Sequence, residues 1–241
     1  MTVKFSPRIS HFLPPLDVRI KCLYYGVQML LVGLTGGLAS GKTTVAKLFQ
    51  RCGASIIDAD QLARTVVRPG RAAWKDLVAT FGQDILHDDR TLNREALAAR
   101  AFRNPRQLKL LNRIVHPRVA REQTKMTNAI AKQHPDGVII YDAALLIEAK
   151  AHERMDRVIL VTADQQTQIA RACKRDGLSR REALARIRGQ LSLREKKRFA
   201  DDLIDSTLPR VQLCKIIRTL YKNLLEQAQP RLKQPPPNPR H

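Results

Sequence analysis

The stretch "QMLLVGLTGGLASGKTTVAKLFQRCG", residues 28–53, limits the possible folds more than any other part of the chain. A short apolar run ends in a glycine-rich turn, and Val45, Leu48, Phe49 and Cys52 then recur at helical spacing, with Gly53 where a helix C-terminal glycine belongs. The run has the length and composition of a strand covered on both faces, as in a parallel sheet. Strand, turn and helix in that order form the first unit of an α/β domain.

The turn itself carries chemistry. Gly36, Gly41, Lys42 and Thr43 fit the pattern G-x-x-x-x-G-K-[ST]. Glycines let the backbone take positive φ, so that successive N–H groups point inward at phosphate oxygens, and the positive end of the following helix points at the same oxygens. Gly37, Leu38, Ala39, Ser40, Gly41, Lys42, Thr43 and Thr44 are therefore the expected nucleotide-binding segment. Lys42 supplies a mobile charge between the β- and γ-phosphates, and the Thr43 hydroxyl is placed to bind magnesium.

Beyond the turn, "ASIID" reads as a second strand ending at Asp58 and Asp60. A helix-rich stretch from Leu62 to about Lys132 is interrupted at "RPG" and "NP", with a further break expected at Pro117, after His116. "GVIIYD", "DRVILVT" and "ADDLIDS" supply three more strands. Strands alternating with helices predict an α/β class, a parallel-sheet P-loop nucleoside triphosphate hydrolase or kinase core.

In such a sheet ligands gather at the carboxyl ends of the strands, so Asp58 and Asp60 face the same crevice as the loop. One carboxylate there can take or orient the proton of an attacking hydroxyl, although turn or capping carboxylates would look the same in sequence. Asp142, after "VIIY", is the candidate acid near magnesium, with a structural turn residue as the competing reading. Arg171 and Arg175 stand four apart, on one helical face, where they suit phosphate oxygens or form a solvated basic face.

The net charge of +21 and pI near 10.6 favour polyanionic partners in general. The bases are spread along the chain in short clusters such as "REKKR", and no nucleic-acid recognition motif accompanies them, so no dedicated nucleic-acid partner is expected. Cys22, Cys52, Cys173 and Cys214 have no zinc-type spacing, and no apolar run reaches the roughly 18 residues of a membrane span. A soluble, reduced, cytoplasmic protein is expected. Residues 1–28 read as an extension, 29–228 as the main domain, and the proline-dense 229–241 as an extended tail.

Taken in order, "GLTGGLASGKTTVAKLF", "IIDADQLAR", "RPG", "FGQDIL", "TLNREAL", "VHP", "ALLIE", "RACKRDGLSRREALARIRGQ" and "ADDLIDS" resemble the dephospho-CoA kinase family from about Met29 to Leu224. The resemblance implies a phosphate-loop core, a helical substrate lobe at about 62–132 and a helical lid at about 171–200. It implies transfer of a phosphoryl group from ATP, with Mg2+, to the ribose 3'-hydroxyl of dephospho-CoA. By matching positions, Asp60 is the base or the carboxylate that orients the hydroxyl, Lys42 and Thr43 hold phosphate and magnesium, and Arg175 with Arg171 belongs to the lid. Asp58, Arg64, His116, Leu145 and Glu148 line or support the acceptor side.

The partners so implied are ATP and dephospho-CoA, with the protein a monomer or weak homo-oligomer. The chain departs from the family pattern at Ala144, where a proline is usual, and at Ser206, Thr207 and Leu208, where an Asn-Asn-Gly run is usual. Ala39 and Arg90 stand where glycine is common. A kinase of another small metabolite keeps the same loop, and a nucleic-acid-stimulated ATPase is a reading of a different class.

Overall fold

The computed structural model of the chain describes residues 29–228. The extension at 1–28, with Cys22, and the proline-dense tail at 229–241 lie outside the described residues. Five strands, β1 (Leu30–Gly36), β2 (Ser55–Asp58), β3 (Val138–Asp142), β4 (Arg157–Thr162) and β5 (Asp202–Asp205), form one sheet in the order β2-β3-β1-β4-β5, with every neighbouring pair parallel.

Successive side chains of a strand point to opposite faces, and both faces here are covered. Val32, Leu34, Val138, Ile140, Ile159, Val161 and Ile204 pack on one side against α1 (Lys42–Arg51) and α9 (Arg210–Ala228). Ile57, Ile139, Tyr141 and Val158 pack on the other, closed by Leu62 of α2 (Ala59–Val66). This two-sided cover is why the strands read as continuous apolar runs.

Between β2 and β3, α3 (Ala72–Phe81), α4 (Arg94–Arg103) and α5 (Pro105–Gln133) build a separate small core from Leu77, Phe81, Ile85 and Leu97, backed by Leu111, Ile114 and Val115 of α5. Asn104 caps α5 by accepting the Arg106 N–H at 2.9 Å, and Pro105 occupies the first turn, where no N–H is needed. The break expected after His116 does not occur: α5 runs through Pro117. Proline removes one helical hydrogen bond and crowds the preceding turn. Here apolar residues on both sides of it are anchored, Ile114 and Val115 in the small core and Val119 and Ile130 against the sheet, and Arg118 Nη1 donates to the Ile114 carbonyl at 2.7 Å.

Between β4 and β5 lie α6 (Gln165–Asp176), α7 (Arg180–Arg188) and α8 (Leu193–Lys197). Ser179 with Glu182, and Ser192 with Glu195, form capping boxes that start the last two. Position 171 falls within α6, which packs on α7 through Ile169, Ala172 and Ala183. Among the described residues Cys52, Cys173 and Cys214 are free, and no helix is long and apolar enough to cross a membrane.

Arg90 has φ +64°, in a turn where its N–H bonds to the His87 carbonyl and its own carbonyl accepts from Trp74 Nε1 at 3.0 Å. A left-handed residue with a Cβ costs about 1–2 kcal/mol, of which glycine returns part through the unfolded chain. Arg90→Gly is therefore expected to stabilise the fold by about 0.5–1 kcal/mol, read as a higher urea midpoint with an unchanged slope.

Candidate active site

The turn after β1 places Gly41 at φ +88°, immediately before Lys42 opens α1. A Cβ at Gly41 would lie 2.7 Å from the Ser206 side chain, so both the angle and the space require glycine. The start of α1 has no side-chain cap and no acid in its first turn, which it shares with α3, whereas α2, α4, α5, α6, α7 and α8 are each capped by a side chain; only the α1 start follows the glycine-rich turn. N–H groups and the positive end of the helix dipole are thus left for an external anion. Ser40 adds a hydroxyl that is buried and has no hydrogen-bond partner among the described residues. Ala39 takes φ +51°, and it packs with Leu38 on the α6–α7 cluster.

Lys42 Nζ pairs with Asp142 Oδ1 at the carboxyl end of β3. Burial pushes the Asp142 carboxyl above its ordinary range; Lys42 opposes that shift, while Asp58 and Asp60 add to it. Strand register puts Asp58 opposite Asp142, so two carboxylates end adjacent strands beside the lysine. Asp58 is also the N-cap of α2: its Oδ1 accepts the N–H of Asp60 at 2.8 Å and of Gln61 at 3.0 Å. Asp60 is not at the strand end as the sequence suggested but in the first turn of α2, because the strand closes one residue after Ile57 and the helix begins at Ala59. It is exposed, and Arg64 follows it by one helical turn, also exposed.

Arg171 and Arg175 share α6 but not their surroundings. Arg171 reaches the loop: its Nη1 donates to Ser206 Oγ at 2.8 Å and its Nη2 to the Ser206 carbonyl at 3.1 Å. The Ser206 hydroxyl in turn donates to the Ser40 carbonyl at 2.5 Å. Arg175 is not brought to the loop and instead forms two 2.8 Å hydrogen bonds with its neighbour Asp176. Thr207 closes the turn after β5 by donating its N–H and hydroxyl to Asp205. Of the three residues that depart from Asn-Asn-Gly, Ser206 thus braces the phosphate loop, a role its sequence did not signal.

On the acceptor side, Leu145 stands 52% exposed while Leu146 is buried. Glu148 does not present a free carboxylate: Oε1 accepts the Leu191 N–H at 3.1 Å and lies 3.0 Å from Lys196 Nζ, while Oε2 is buried. His116 is accessible on α5, yet the protein crowding its ring, and then Arg154, lower its pKa. Arg154, which sequence reading missed, donates to Gln123 Oε1 at 2.9 Å, and Gln123 lies two helical turns beyond His116. Tyr141 belongs to the same neighbourhood: burial raises its pKa first, Arg154 lowers it, and Asp60 and Asp58 raise it. The electrostatics therefore link His116, Arg154, Tyr141, Asp58 and Asp60 across one side of the loop.

An uncapped helix start beside a lysine–aspartate pair, with an exposed carboxylate on the next helix, suits moving a phosphoryl group as well as holding one. Fold and site together define a phosphate-loop kinase. The sequence profile of the family described as dephospho-CoA kinase matches residues 30–209. A dephospho-CoA kinase of Geobacter metallireducens is 42% identical over 200 residues, covering 83% of this chain and 98% of the relative. One from Corynebacterium glutamicum is 42% identical over 178 residues, covering 74% and 88%. A protein of solved structure from Thermus thermophilus superposes with a TM-score of 0.71 at 30% identity, over 83% of this chain and 98% of its own. The chain belongs to the dephospho-CoA kinase family.

Proposed function

We propose that the protein transfers the γ-phosphoryl group of ATP to the ribose 3'-hydroxyl of dephospho-CoA, giving coenzyme A and ADP, the last step of coenzyme A synthesis. The observation that carries this reading is the family match over residues 30–209, joined to a phosphate loop whose helix start is left uncapped. The 3'-oxygen attacks the γ-phosphorus, the bond to the β,γ-bridging oxygen breaks, and ADP leaves. The hydroxyl proton passes to the Asp60 carboxylate.

The backbone of residues 37–44 and Lys42 hold the phosphates, and Lys42 leaves Asp142 to follow the charge that moves onto the leaving oxygen. Arg171 stands at the loop to meet the nucleotide, and Arg175, in the lid, exchanges Asp176 for phosphate when the nucleotide binds. Asp58, Arg64, His116 and Leu145 face the acceptor, with the helices of 62–132 as its lobe, and Glu148 supports that side from beneath.

A magnesium ion fits the donor set, because the Thr43 hydroxyl in the exposed first turn of α1 and the Asp142 carboxylate are hard oxygen donors. Bound there, it would neutralise phosphate charge. The protein acts on small molecules in the cytoplasm as a monomer or weak homo-oligomer, with no dedicated nucleic-acid partner.

The test is ATP- and magnesium-dependent phosphorylation of dephospho-CoA, with adenosine, shikimate and a DNA oligonucleotide in parallel and the new phosphate located by mass spectrometry. A 3'-phosphorylated product from dephospho-CoA alone is expected. Transfer to another acceptor, or hydrolysis stimulated by the oligonucleotide, would replace this reading.

A further inference from the structure

Lys196 is 2% exposed, the only charged side chain among the described residues that is fully buried. Its sequence context, "REKKR", looks like a solvated basic cluster. Its Nζ lies 3.0 Å from Glu148 Oε1, in the turn that follows β3 and carries the exposed Leu145. The same Glu148 oxygen accepts the Leu191 N–H at 3.1 Å. One residue earlier, Gln190 Oε1 accepts the Leu38 N–H, in the phosphate loop, also at 3.1 Å.

Two adjacent residues between α7 and α8 therefore hold both sides of the crevice at once. Gln190 grips the loop that holds the donor, and Leu191 grips the turn on the acceptor side. Leu184 and Ile187 of α7 share the apolar cluster of Leu38 and Ala39, which fixes the donor end. His152 stacks edge-on against Phe199, ring centroids 4.8 Å apart, which adds a second tie on the acceptor end. A buried ion pair gains little stability over apolar side chains of the same volume. The Lys196 ammonium makes no hydrogen bond among the described residues, so it holds the Glu148 carboxylate by charge alone, and the one directed contact of that carboxylate is the bond it accepts from the Leu191 N–H.

We propose that the Gln190–Leu191 turn is a clip that sets the spacing between phosphoryl donor and acceptor, with Glu148 and Lys196 as the positioning residues that hold its acceptor end. The inference rests on the kinase reading above and deepens it. In-line transfer depends steeply on approach distance, so a clip that spans both loops controls turnover without touching either substrate.

The test uses the full chain with ATP and dephospho-CoA, and reads kcat, both KM values, melting temperature and the ADP formed per phosphorylated product. Gln190→Ala keeps the ion pair and is expected to lower kcat by about tenfold or more while KM for ATP stays within about twofold. The ADP-to-product ratio should rise several-fold, because water reaches a phosphoryl group whose acceptor has drifted away. Unchanged kcat and an unchanged ratio in a folded Gln190→Ala protein would overturn the proposal.

Lys196→Met leaves the Glu148 carboxylate buried without its counterion, and that variant can fail by unfolding. The double variant Glu148→Leu/Lys196→Met removes both charges at similar volume and is expected to be folded yet uncoupled, with the raised ratio. If the double variant regains both stability and tight coupling, the pair is only structural and its positioning role falls. A wild-type protein that transfers nothing to dephospho-CoA would instead sink the kinase reading, so the two failures are distinguishable.

Discussion

Lys42→Met is expected to lower kcat by about 10²- to 10³-fold, the usual cost of removing one preorganised charge from a developing oxyanion. Lys42 sits in the first turn of α1, where its ammonium adds a full charge to the partial charge of the helix start. It is held in place by Asp142, so it is oriented before the nucleotide arrives. Lys42→Arg should not rescue turnover, because a planar fork cannot take the place of a compact point charge between two phosphate groups. The loss of charge also leaves the Asp142 carboxyl, already raised by burial, without the lysine that opposes that shift. A thermal melt beside the kinetics separates that effect on the fold from the loss of charge at the phosphates. A turnover within a fewfold of wild type would remove Lys42 from the chemistry.

The fold was legible because its signals are local. The run "LLVGLTG" and its counterparts at β3 and β4 are largely apolar because both faces of the sheet are covered, and glycine at 41 is required by its positive φ and by the Ser206 side chain packed against it. Pro117 misled for the opposite reason: proline reports the cost of continuing a helix, while the packing that keeps α5 intact comes from residues far away in sequence. The candidate site divides in the same way. The places of Lys42 and Thr43 at the start of α1 could be read because the loop pattern is local. Lys196, Gln190 and Ser206 could not, since each belongs to a tie that spans between 43 and 166 residues: Glu148 and Leu191 form one, Leu38 and Gln190 another, and Ser40 and Ser206 the longest. Arg154 lacked a signal as well, its neighbours His116, Gln123 and Tyr141 being set by the path of α5 over the sheet.

The neighbouring carboxylates Asp58 and Asp60 make different predictions, and these decide which of them handles the proton. The Asp58 Oδ1 is occupied as the cap of α2, accepting two backbone N–H groups. Asp60 is exposed, and its backbone N–H is one of those two, so the cap fixes where its side chain begins. Asp60→Asn keeps the shape and the α2 cap but cannot accept a proton, and is expected to lower kcat by about 10²- to 10⁴-fold, the span of general acid–base contributions. KM for ATP should stay within about threefold, since the carboxylate acts on the acceptor as it reacts rather than on the bound nucleotide. Asp58→Asn retains an acceptor oxygen for the cap and should cost turnover far less, while Asp58→Ala should lower helix stability by about 1 kcal/mol as a lost N-cap. Steady-state kinetics of the three variants, with the ATP concentration varied at saturating dephospho-CoA, read the difference directly. Near-normal turnover in Asp60→Asn would move the proton to Asp58 or to solvent, and a large loss in Asp58→Asn with Asp60→Asn intact would exchange the roles of the two acids.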